Sequence, residues 1–100
     1  MISKTLANDI AGEVLVREFD KDILRKNIER LYMDRSVEKG NIIFSFGIFN
    51  EAERANRTNR TGIWFDETVF PEIFLRVNVN LLNGTASVLE KDNDVIKKYM

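Results

Sequence analysis

The chain contains no cysteine and no histidine. A disulfide framework, a thiolate nucleophile, a zinc-finger site, an imidazole general base and a Ser-His-Asp triad are therefore all excluded. Charge of one sign is also missing: 15 Lys and Arg stand against 16 Asp and Glu, a formal charge of -1. Most nucleic-acid binders carry a strong basic field, so nucleic acid is an unlikely partner by this measure, and the chain is not acidic enough to mimic DNA. No window approaches the roughly 20 apolar residues of a membrane span. The densest apolar run, residues 41–50, is interrupted by Ser45 and Gly47. The first twelve residues carry Lys4, Asn8 and Asp9 and no apolar stretch of the kind that directs secretion, so a cytoplasmic location is expected. The Asn-x-Thr patterns at Asn56, Asn59 and Asn83 are then chance products of an Asn-rich composition. Neither Gly40 nor Gly47 is followed by the residues of a P-loop or a dinucleotide fingerprint. Asp92-Asn93-Asp94 opens like a calcium loop but lacks its later Gly and Glu, and is better read as a helix N-terminus. No cofactor and no metal are expected.

At 100 residues and 11.6 kDa, with 44% apolar and 31% charged residues, the chain has the balance of one soluble globular domain with its own core. Leu24, Ile28, Leu31 and Tyr32 fall at helical spacing, with Asp20 as N-cap and Arg30 and Arg35 near the C-terminal end, which predicts an amphipathic helix over residues 20–35. Before it, Ile2, Leu6, Ile10 and Val14 keep a four-residue spacing. Val14, Val16 and Phe19 also suit a strand, and a first helix giving way to a short strand over 13–18 is expected.

After Gly40 the period becomes two. Ile42, Phe44, Phe46 and Ile48 make one wholly apolar face of a strand over 41–50. Asn83-Gly84 suits a type I′ turn, whose positive φ values Asn and Gly accept, between strands over 72–82 and 85–91. With Leu82 opposite Thr85, Val79 would face Val88, and Ile73, Leu75, Val77, Val79, Leu81, Ala86 and Val88 would share the core side. Val77, Val79 and Val88 would then meet Ile28 and Leu31 of the helix. The other face would present Arg76, Asn78, Asn80, Ser87 and Lys91 with Phe74, Leu82 and Leu89 among them. Pro71 fits a strand entry, 62–67 reads as another strand, 50–62 as a polar loop, and 93–100 as a short terminal helix.

Two groups of residues invite a functional reading. Arg54, Arg57 and Arg60 recur every third residue and could clamp phosphate or carboxylate through bidentate guanidinium bonds. Polar loops without function are common, no basic excess extends beyond this one, and the solvated loop is the preferred reading. Trp64 lies beside Phe65, so the two side chains would point to opposite faces of a strand. Together with Asp66, Glu67, Phe70 and Glu72, Trp64 makes the aromatic anchor and charged rim that protein interfaces use. The alternative is that Trp64 caps the core edge while the acids are merely solvated.

These observations predict an α+β fold with N-terminal helices on one face of a mainly antiparallel sheet of four to five strands. One domain without a catalytic side-chain set, near neutrality and rich in aromatics, points to a protein-binding module. The expected type is an inhibitor or immunity protein of bacterial or phage character that covers a partner enzyme, such as a toxin or nuclease, through Trp64, Asp66, Glu67, Phe70 and Glu72. The alternatives are an anion or nucleic-acid binder using Arg54, Arg57 and Arg60, and a homodimeric structural subunit.

Overall fold

The computed structural model describes residues 1–49 and 71–98. Helix α1 (Lys4–Glu18) begins at Ser3, whose Oγ accepts from the Leu6 N–H at 3.0 Å. Its buried residues, Ala7, Ala11 and Val14, are four and three apart, so one stripe faces the sheet. The expected strand over 13–18 does not form, because that stripe runs through the segment and packing overrides the β preference of Val14 and Val16. The helix stops at Phe19, whose backbone is extended and whose ring meets Phe74 edge-on with centroids 4.9 Å apart.

Asp20 caps α2 (Lys21–Lys26) as expected, accepting from the Asp22 N–H at 2.8 Å. The predicted helix to residue 35 is a misreading. After α2 the chain makes a 3₁₀ turn (Ile28–Arg30) and then strand β1 (Leu31–Glu38). Asn27 turns the chain here, its Nδ2 donating to the Ile23 carbonyl at 2.9 Å. Ile28, expected in the core, is 64% exposed.

Strands β1, β2 (Asn41–Ile48), β3 (Glu72–Asn80) and β4 (Ala86–Lys91) form an antiparallel sheet in sequential order. The β1–β2 turn is Lys39–Gly40, with φ of 29° and 80°. These are the left-handed values of a mirror-image two-residue turn, whose twist matches that of the strands it joins. The predicted strand over 62–67 lies outside the described residues.

The type I′ turn expected at Asn83–Gly84 is replaced by a longer loop. Asn80 N–H donates to Thr85 at 2.8 Å, Gly84 N–H donates to Asn80 at 2.8 Å, and Gly84, not Asn83, takes positive φ. Leu81 explains the difference. Its N–H donates to the Gly40 carbonyl at 2.8 Å and its carbonyl accepts from Ile2 N–H at 2.7 Å, so it cannot also ladder with Ala86. The β3–β4 register therefore moves by two: Val79 faces Ala86 and Val77 faces Val88. Parity is unchanged, yet Val88 sits on an edge strand and is 39% exposed rather than core. A bulge sets Phe46 opposite Leu75 and Gly47 opposite Ile73, which leaves Phe74 as the extra residue. Phe74 and Leu75 are both buried and Ile73 is not, reversing the predicted places of Ile73 and Phe74.

The core lies between the helices and one sheet face: Ile42, Phe44, Phe46 and Ile48 of β2 with Leu75, Val77 and Val79 of β3. The last helix, α3 (Asn93–Lys97), is capped by Asp92 and adds Val95 and Ile96. Lys91 ties β4 to the end of α1, with Nζ 3.0 Å from Glu18 Oε2 and 5.4 Å from the centre of the Phe19 ring.

Val79 is fully buried, so Val79→Asp should cost several kcal/mol, enough to unfold a domain of typical stability of about 5–15 kcal/mol, as circular dichroism would report. The hydrogen bond from Lys91, aided by its charge and that of Arg17, holds the Glu18 carboxyl below its ordinary value. A carboxyl lowered on folding stabilises the fold above its unfolded pKa, and the contribution is lost as pH falls through the lowered folded value. Glu18→Gln should thus lower the melting temperature at neutral pH and leave it unchanged below the carboxylate range.

Candidate functional site: the outer edge of strand β1

Strand β1 is the first strand of the sheet, and its register against β2 is unbroken over all eight residues, from Leu31 opposite Ile48 to Glu38 opposite Asn41. The two-residue turn makes Glu38 and Asn41 a hydrogen-bonded pair, and Phe49 N–H donating to the Arg30 carbonyl at 3.0 Å keeps the same phase at the other end. Tyr32, Asp34, Ser36 and Glu38 therefore turn their amides inward to β2. Leu31, Met33, Arg35 and Val37 turn theirs outward. Among these, Leu31 N–H donates to the Ile28 carbonyl and Arg35 N–H donates to Asp34 Oδ1 at 2.8 Å. The Met33 and Val37 amides have no partner among the described residues.

The side chains divide in the same way. Leu31, Met33, Arg35 and Val37 stand opposite Ile48, Phe46, Phe44 and Ile42, and so on the helix side of the sheet. Helix α1 lies over β3 and β4, and reaches β1 through the Arg35 Nη1 bond to Asn8 Oδ1 at 3.0 Å. Leu31 packs against the core, whereas Met33 is 50% and Val37 56% exposed. Two apolar side chains on the core-facing side of an edge strand are thus half in water. Asp34, Ser36 and Glu38 are exposed on the opposite face. That face is mixed: Ile43 and Ile73 lie on it beside polar pairs, with Arg76 Nε 3.1 Å from Glu90 Oε2 and Asn78 Nδ2 donating to Asn41 Oδ1 at 3.2 Å. Tyr32 is half-buried there, edge-on to Phe49 at 5.8 Å.

Of the residues singled out from the sequence, Trp64, Asp66, Glu67 and Phe70 lie outside the described residues, as do Arg54, Arg57 and Arg60. Glu72 opens β3 opposite Ile48, with Oε2 3.1 Å from Lys98 Nζ. Apart from Glu72, both sets fall in the stretch of sequence between β2 and β3. Sequence reasoning missed Met33, Arg35 and Val37 because residues 20–35 were read at helical period. The alternation of Leu31, Met33 and Val37 up to Lys39-Gly40 was the available signal. Among the described residues no group of three or more Asp or Glu converges as a metal site, and no helix is long and apolar enough to cross a membrane. No family model, no curated protein and no solved structure matches the chain.

The edge geometry has a direct readout in amide hydrogen exchange. Met33 and Val37 should exchange far faster than Asp34 and Ser36, with Phe44 and Val77 slowest. Equal protection of Met33, Val37 and Ser36 would mean that another strand covers this edge.

Proposed function

We propose that the protein is a small protein-binding module of the inhibitor type, which covers a partner enzyme and blocks it. The observation that carries this reading is the half-exposed pair Met33 and Val37 on a regular strand that is an edge of the sheet among the described residues. A sheet edge with apolar side chains is a liability in a protein that works alone, and an asset in one that is covered by a partner. Charge around it supports the same reading. Asp34 and Glu38 on one side of β1 and Arg35 on the other form a mixed rim that steers encounter and selects partners more than it adds affinity. The acidic side of that rim, Asp34 and Glu38, suits an enzyme that presents a basic site, as enzymes acting on phosphates do. The carboxylates Asp66, Glu67 and Glu72 with Trp64 and Phe70, which in sequence fall between β2 and β3 or at the start of β3, extend the contact in this reading.

The test uses tagged protein to capture its partner from the cells that encode it, beside a Met33→Lys, Val37→Lys double variant. Both positions are half exposed, so the variant should melt within a few degrees of the parent. The expected outcome is one enzyme captured by the parent and lost by the variant, whose activity the purified parent suppresses in a stoichiometric titration. A captured protein whose activity is untouched would remove the inhibitor role, and capture unaffected by the double variant would move the interface away from β1.

A further inference from the structure

Resting on that reading, we propose that the partner docks by adding an extended strand of its own to the outer edge of β1, and that this strand alternates apolar with basic residues. Of the two sheet edges among the described residues, β1 is the one suited to this. β4 has six residues and a register shift against β3 between Arg76 and Val77, whereas β1 is straight through eight. An uninterrupted ladder offers evenly phased donors and acceptors, and strand addition takes its affinity from those main-chain bonds and its specificity from alternate side chains.

The chemistry of β1 specifies what the added strand must carry. On the helix side it meets Met33 and Val37 with Arg35 between them, which asks for two apolar residues flanking an acidic one. On the other side it meets Asp34 and Glu38, which asks for basic residues at both places. Asp34 adds a condition. Its carboxylate holds the outward-facing Arg35 N–H, and that amide joins a new ladder only when the carboxylate is drawn away. A basic side chain opposite Asp34 supplies that pull, so charge recognition and main-chain pairing occur together.

A second copy of this chain is the poorer fit. An isologous pair of β1 strands is antiparallel, and the two registers with the longest overlap oppose like charges, whereas the shorter one centred on Met33 does not. Centring on Asp34 or on Arg35 sets each against its own copy, centring on Ser36 sets Asp34 against Glu38, and centring on Val37 sets Arg35 against Lys39. The longest self-pairings are thus disfavoured by charge, while a strand of the complementary pattern matches the edge along its whole length.

The probe is the blocked synthetic peptide Lys-Val-Thr-Glu-Lys-Val-Thr-Val, which in antiparallel register sets its lysines opposite Glu38 and Asp34 and its glutamate opposite Arg35. Titrated into isotope-labelled protein, it should shift and protect the amides of Met33, Arg35 and Val37, leaving those of the already paired Asp34 and Ser36 little changed in exchange. An Asp34→Lys, Glu38→Lys variant, whose changes are on exposed positions, should bind it roughly tenfold more weakly or worse, and should recover with a peptide carrying Glu at both Lys positions. No saturable shift at β1 in millimolar peptide, or binding indifferent to charge reversal, overturns the proposal. Should the captured enzyme need Met33 and Val37 yet leave their amides unprotected, strand addition is wrong while the binding-module reading stands. A concentration-dependent dimer that protects those amides would overturn it in favour of a second copy.

Discussion

The Lys39–Gly40 turn sets the phase on which the rest of the sheet depends. With both residues in the left-handed region, Glu38 is placed opposite Asn41, and every later pairing between β1 and β2 follows. β2 is an inner strand, flanked by β1 and β3, and its even-numbered residues are buried as a row. The turn therefore decides which side of β1 shares the face of that row. It also anchors the far hairpin, because the Gly40 carbonyl accepts from Leu81, and Leu81 in turn holds Ile2 just ahead of α1. One tight turn thus couples the first strand pair, the β3–β4 loop and the start of the helix.

Where the helix lies is a separate decision with a functional consequence. Ala7 and Ala11 present little volume, so α1 settles closely on the sheet, over β3 and β4, and Glu18–Lys91 and Phe19–Phe74 hold its far end on that side. The sheet is wider than the layer of helix above it. Among the described residues the uncovered margin is β1, where Met33 and Val37 continue the apolar pattern of the core past the edge of its roof. With Arg35 held by Asn8 between them and Asp34 and Glu38 on the reverse, the margin has the composition of a small interface rather than of leftover core.

Several features were legible in the residues. The absence of Cys and His limited the chemistry, alternation from Ile42 to Ile48 identified the buried strand, Asp20 and Asp92 marked helix starts, and the parity of Leu75, Val77 and Val79 was correct. The errors share a cause: local signals were outbid by distant contacts. Ile28, Leu31 and Tyr32 match a helical stripe as well as they match a turn leading into a strand, and only pairing with β2 selects the second. Asn83-Gly84 is a strong hairpin signal, yet the bonds from Leu81 to Gly40 and Ile2 move the turn. Phe74 was assigned outward by strict alternation, and one bulge turned it into the core.

The sequence by itself determined the class of fold, the presence of a single buried face on β2 and the exclusion of thiol, imidazole and P-loop chemistry, because these depend on residue identity and short-range period. The tertiary structure alone decided that β1 exists, that its outward amides belong to Met33, Arg35 and Val37, and that two of those side chains stand half in water. The reason is physical: period tells which side of a strand is apolar, but whether that side is covered depends on where a helix packs, and that is fixed by contacts such as Glu18 with Lys91 between residues far apart in the chain.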